Sequence, residues 1–332
     1  MSGFRRQPAL RLTAVLIAAL ATATSSGAVE ETPATGDPVE VLQTPAFPEK
    51  PPSKPLRVWL GSYLAPSADF GRPEVTLVRP DVSFRLRLPV DHRFSAELTG
   101  DFSASIYDTD GRGPVFTTCP ECSLPDEAYS ASFGVQSGYV LKLGRHLFRS
   151  DERWALLGDL SLSADWEAGA FEESISPGAS LGCGYELPST LRIALGARVE
   201  RALDGDGVDL GPSVYLRWDV AREFRIRNRG LGVRVEYLPT GRFELFATGY
   251  QARDRFRLDD RPGLSAGTTF RDRQALVGGG MVVKLSRTFR MTVEMGAIID
   301  RNLAVDTRDD GKLEGVDGDV SPYLTLRLEI RP

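Results

Sequence analysis

Ionisable residues recur at alternate positions along several long segments of this 332-residue chain, and that spacing decides what chemistry they do. Arg85, Arg87, Glu97, Asp101, Lys142, Asp159, Asp165, Arg192, Arg198, Glu200, Arg217, Arg234, Glu236, Glu294 and Arg327 each stand on the face opposite an apolar one. Residues two apart on an extended chain share a face, so these groups line strands instead of forming one compact catalytic cluster. Their mixed sign suits two roles. One is a pore lining that orients a small polar solute across ladders of opposite charge. The other is a cross-strand lattice of ion pairs that satisfies an enclosed space and nearly closes it. Sequence alone leaves both open.

Catalysis is poorly supplied, and neither catalytic residues nor a cofactor are expected. The two histidines, His92 and His146, fall in turns, whereas proton transfer near neutral pH favours a positioned imidazole. An enzyme using carboxylates alone needs a placed pair, and Asp259-Asp260 is ordinary loop content. Cys119 and Cys122 form an isolated CPEC, which in an exported chain points to a local disulfide. A zinc site would need two more ligands, and no histidine lies nearby. Cys183 belongs to the apolar face of a strand. The acidic stretch Asp306-Thr-Arg-Asp-Asp-Gly311 places Arg308 where a calcium loop needs an oxygen ligand. With Asp108-Thr-Asp-Gly111 and Asp204-Gly-Asp-Gly207 it is expected to be a hydrated turn, and no metal site is expected.

The elements that position these residues are strands. From Phe94 to Ile106, Phe94, Ala96, Leu98, Gly100, Phe102, Ala104 and Ile106 alternate with Ser95, Glu97, Thr99, Asp101, Ser103 and Ser105. A period of two over that length is a long strand with one greasy and one wet face. The same pattern predicts strands near 57–65, 77–88, 93–107, 129–143, 154–168, 175–187, 191–202, 211–219, 223–228, 230–239, 243–257, 274–286, 289–303 and 321–331. Short connections then alternate with longer ones, such as Pro188–Thr190 against Leu258–Arg273 and Ala304–Val320. That alternation stays in phase only if the short segment 223–228 counts as a strand. The total is then fourteen, the even count of a bacterial membrane barrel; twelve is the alternative if two weak segments do not span.

Trp154 and Trp166 share the apolar face of one strand. Their twelve steps span roughly 40 Å along the strand, or about 28 Å after a ~45° tilt, close to an apolar band edged by aromatic girdles. Strands this long, with an apolar face lightly packed by Gly100, Ala104, Ala164, Ala179, Ala197 and Gly279, favour lipid outside and water within. A ring of fourteen strands is also too wide for side chains alone to fill an apolar centre.

Arg5, Arg6 and Arg11, the apolar run Leu12–Leu20 and small residues to Ala28 predict a secretory signal peptide over 1–28. Residues 29–56, rich in proline, predict a disordered periplasmic linker. The formal charge of −5 becomes more negative once the signal's arginines leave, which disfavours nucleic acid as a partner.

The last segment, Tyr323-Leu-Thr-Leu-Arg-Leu-Glu-Ile-Arg-Pro332, resembles the closing strand of bacterial outer-membrane proteins, which the assembly machinery reads as a signal. It departs from that pattern at Pro332, where an aromatic residue is usual. Gly230-Leu-Gly-Val-Arg-Val-Glu-Tyr-Leu-Pro239, Phe243-Glu-Leu-Phe-Ala-Thr-Gly-Tyr250 and Phe256-Arg-Leu-Asp-Asp-Arg261 make residues 212–332 resemble an uncharacterised family of outer-membrane β-barrel proteins. That resemblance implies a barrel and names no reaction or ligand.

The expectation is therefore an all-β chain whose residues 57–332 form an antiparallel transmembrane β-barrel in the outer membrane of a Gram-negative-type cell. Its expected partners are outer-membrane lipid and lipopolysaccharide, the outer-membrane assembly machinery and a small solute. Its expected role is a passive channel for small polar solutes. A structural or adhesion-type barrel with a blocked lumen, and a barrel hydrolase, are the alternatives.

Overall fold

A computed structural model describes residues 55–332 apart from 72, 89–92, 111–113, 117–121, 142–152, 172–173, 188–189, 204–206, 260–266 and 308–310. The described residues form β1 (Leu56–Asp69), β2 (Glu74–Leu88), β3 (Phe94–Thr109), β4 (Glu127–Leu141), β5 (Arg153–Glu167), β6 (Ile175–Leu187), β7 (Leu191–Arg201) and β8 (Val208–Asp219). They continue as β9 (Phe224–Arg229), β10 (Gly232–Tyr237), β11 (Phe243–Arg257), β12 (Thr269–Lys284), β13 (Phe289–Thr307), β14 (Gly311–Gly318) and β15 (Ser321–Ile330). From β1 to β13 each strand pairs antiparallel with the next, β13 pairs with β15, and β15 returns to β1. This closes a ring of fourteen strands. Among the described residues the fifteenth, β14, pairs only with the end of β13, over Arg301–Thr307.

Phase required a strand over 223–228, and β9 supplies it. The β9–β10 hairpin turns at Gly230, whose φ of 53° lies in the left-handed region that suits glycine. This hairpin is short, so β8 pairs β9 only through Arg217, Trp218 and Asp219. Beyond that point the Asn228 side chain replaces the missing strand. It accepts from Leu216 N–H at 2.7 Å and donates to Val214 C=O at 2.8 Å. Two residues further along the same edge stands Pro212, which has no N–H to leave unsatisfied.

The segment 304–320, expected as an open loop, differs. β13 runs on to Thr307 and pairs with β14, because a bulge resets its faces. Leu276 faces Ile298 while Ala275 faces Asp300, so Ile299 has no partner. Past that extra residue Arg301, Leu303 and Val305 turn inward, where they are fully buried.

The apolar face looks outward. Leu160 is 66 % exposed, and Phe102 and Leu162 are comparably bare, whereas Glu97 and Thr99 are buried. So large a continuous apolar surface belongs against hydrocarbon. Aromatic residues border it. Trp154 packs on Tyr185 at 5.1 Å toward the end holding both barrel termini, the near end. Trp166 packs on Tyr129 at 5.6 Å and Phe171 at 4.9 Å toward the far end.

The far end corrects one expectation. There the inward side chains of β1–β3 and β11–β13 are largely apolar, including Val75, Leu77, Tyr107, Phe256, Phe270 and Leu303, while β5–β7 carry Asp165, Glu167, Ser176 and Glu200. The connection between β3 and β4 brings Val115, Phe116 and Cys122 into the same core. Facing walls meet there directly, Tyr107 on β3 against Phe270 on β12 with ring centroids 5.4 Å apart and Arg257 on β11 paired with Trp166 on β5, so a ring of fourteen strands can fill an apolar region after all.

Candidate functional site

The lumen has three zones set by what each inward column carries. On β2 that column reads Val75, Leu77, Arg79, Asp81, Ser83, Arg85 and Arg87 from far end to near. Along this column apolar residues line the far end, a buried arginine and aspartate lie beneath them, and the less deeply buried Arg85 and Arg87 occupy the near half.

In the middle zone Arg301 donates to Asp272 through Nε at 3.2 Å and Nη2 at 2.8 Å, with both side chains fully buried. Asp272 also accepts from Gln274 Nε2 at 3.0 Å and the Tyr107 hydroxyl at 3.4 Å. Tyr63 donates to Gln274 Oε1 at 2.8 Å and stacks on Tyr323, with centroids 5.9 Å apart. The Tyr323 hydroxyl reaches Glu294 at 2.8 Å, which Arg229 clasps with 2.8 and 2.7 Å contacts while lying over the Tyr250 ring. Arg79 pairs with Asp254 and donates to Ser105 Oγ at 2.8 Å. Three polar clusters, around Asp272, Glu294 and Asp254, therefore join strands from both sides of the ring.

In the near half Glu97 lies between Arg85 and Arg87, and Arg192 donates to Glu186 at 2.7 Å. Arg327 reaches Asp81 at 3.3 Å across Gly61. A Cβ on that glycine would lie 2.2 Å from the carboxylate, so the pair depends on it. Glu236, almost fully buried, has Arg225, Arg227 and Arg234 within 3.3 Å. The charges segregate by wall. Inward positions of β3–β6 hold Glu97, Asp101, Asp159, Asp165, Glu167 and Glu186 against Arg153 alone among the described residues. Those of β7–β10 hold Arg192, Arg198, Arg217, Arg225, Arg227, Arg229 and Arg234 against Glu200, Asp209, Asp219 and Glu236.

Every ionisable residue singled out from sequence points inward except Lys142, which lies outside the described residues. The reading missed Arg79, Asp254, Asp272 and Arg301, which form the most buried pairs, and Arg225, Arg227 and Arg229 on the short β9. Period-two alternation within Phe224–Arg229 was the available signal. Cys122 is buried and disulfide-bonded, Cys183 is free and exposed, and Cys119 lies outside the described residues. So do His92 and His146. Among the described residues no three His, Cys, Asp or Glu side chains are grouped to hold a metal ion.

Closed ring, outward apolar belt and charged interior define a fourteen-strand transmembrane β-barrel. No family model matches the chain, and no curated protein does. Among solved structures the chain is similar to an outer-membrane channel from Pseudomonas putida F1, at 11 % identity, 86 % of this chain, 98 % of that one and a TM-score of 0.41. It is also similar to the TodX monoaromatic hydrocarbon channel, at 8 % identity, 83 % and 89 % coverage and a TM-score of 0.38. The translocator domain of the autotransporter NalP from Neisseria meningitidis matches at 12 % identity over 98 % of each chain, with a TM-score of 0.31. Likenesses this loose carry no argument about function.

Proposed function

We propose that this chain is a passive channel-type barrel for small polar solutes, seated in the outer membrane of a Gram-negative-type cell with residues 29–56 as its periplasmic lead. One observation carries this reading. The near half of the lumen keeps charges on walls of opposite sign, and Arg192, Arg217 and Arg227 remain a quarter to a third exposed. A purely structural interior has no need of reachable guanidinium groups, whereas a solute route uses them to orient a dipole. The far-end core then obstructs the lumen in the conformation described, and passage requires the buried Phe116 to leave the mouth.

A second reading, a structural barrel with a permanently blocked lumen, is favoured by Phe116 and Arg301, both fully buried. Planar-bilayer recordings separate the two. The channel reading expects current steps from wild type, rising in frequency or size in Phe116→Ala. Silence from both, with folding verified by circular dichroism, replaces it with the blocked barrel.

A further inference from the structure

Register places four arginines side by side. Arg192 on β7 faces Arg217 on β8, Arg217 faces Arg227 on β9, and Arg227 faces Arg234 on β10. All four point into the lumen. Like charges at directly opposed positions destabilise a sheet; the barrel's other opposed like charges, such as Arg57 with Arg85 and Asp254 with Asp272, come in twos, whereas this row runs unbroken over four strands. Arg87 faces Glu97, and Glu186 faces Arg192. Arg225, one inward step from Arg227, extends the patch, and carboxylates Glu186, Asp219 and Glu236 stand among the five guanidinium groups.

Access comes from the near end. A cavity of about 380 Å³ lies there, lined in part by Thr190, Asp219, Arg222 and Arg225. A smaller recess bordered by the same Thr190 and Asp219 reaches Arg192 and Arg217. Arg217 Nε is buried and makes no hydrogen bond among the described residues, so a donor remains unspent at the centre of the row.

We propose that this arginine row is a binding site for a small solute carrying two or more carboxylate or phosphate groups, entered from the near end. Neighbouring arginines of the row stand one strand spacing apart, about 4.8 Å, which suits two anionic groups of one small molecule. Guanidinium forks suit both chemistries because each takes an anion through paired N–H donors. This deepens the channel reading by naming its solute class, yet binding is measurable without any current.

The test is isothermal titration of the folded full chain in detergent at low salt, with citrate, pyrophosphate and acetate as separate titrants. Citrate or pyrophosphate is expected to bind and acetate not to, and the tighter of the two identifies carboxylate or phosphate chemistry. The double variant Arg217→Gln, Arg227→Gln is expected to weaken binding about tenfold or more, since it removes two charge-assisted contacts. Relief of opposed like charges should leave that variant at least as resistant to urea as wild type. No heat from either polyanion, equal binding of acetate, or a double variant that binds as before while losing stability would each overturn the site. Binding without conductance would instead retire the channel reading and leave the site standing; conductance without binding would do the reverse.

Discussion

Asp272→Asn removes one charge and almost no volume, so it isolates the electrostatics of the buried belt. In the wild type Arg301 meets Asp272 through two hydrogen bonds, and neither side chain has any exposed surface. Without the carboxylate, the guanidinium is left uncompensated in a low-dielectric interior, at a cost of about 3–5 kcal/mol. The amide retains one acceptor oxygen for Gln274 or Tyr107, so losses there add no more than about 1 kcal/mol. A second variant, Asp272→Leu with Arg301→Met, replaces the pair by apolar groups beside Phe70, Phe270 and Leu303. Buried pairs exchanged in this way are often neutral, so at least half of the single variant's loss should return. The assay is urea unfolding of protein folded into lipid vesicles, followed by the emission of Trp59, Trp154, Trp166 and Trp218. A single variant within about 1 kcal/mol of wild type, or a double variant no better than the single, would refute the claim that this pair is locked by burial.

Two other perturbations address the wall. Leu160→Arg, at a site 66 % exposed, should cost about 2–4 kcal/mol if the face meets the bilayer midplane; on a water-facing surface the same change would stay within about 0.5 kcal/mol, and the same unfolding assay tells them apart. Asn228→Ala should lose about 1–3 kcal/mol and speed amide exchange at Leu216, because the β8 edge then has no partner for that N–H; unchanged exchange at Leu216 would mean that water or another group already serves this edge.

Alternation made the ring legible because every spanning strand has one face in lipid and one away from it, and loop phase recovered even β9. The inward direction of the charged residues followed from the same rule. Three things did not follow. The bulge at Ile299 turns Arg301 inward, and nothing in a period-two pattern marks where one residue is skipped. On β11 the pattern inverts after Tyr250: Gln251, Arg253 and Arg255 face out while Ala252 and Phe256 face in. That inversion is visible in the residues, but it acquires meaning only once the far end is known to hold a core. Entry of Val115 and Phe116 into the mouth is a property of the connection's path, which strand periodicity does not encode.

Apolar core and buried belt depend on each other, and the dependence has a measurable sign. The Arg301–Asp272 pair is strong because the core above it excludes water, and the core persists because the belt beneath pairs its buried arginines, Arg79 with Asp254 and Arg301 with Asp272. Phe70 sits at their junction, with Arg301 lying over its ring at 5.6 Å. Phe70→Ala removes a buried ring and should cost about 3–5 kcal/mol. In that background Asp272→Asn should cost less than it does alone, because water entering the vacated space solvates the guanidinium that the asparagine no longer neutralises. The coupling between the two substitutions is thus expected to be favourable by about 0.5–3 kcal/mol. Strict additivity in urea unfolding would mean that water already reaches Arg301 in the folded protein, and the far end would then be a lid over a wet lumen and not a seal.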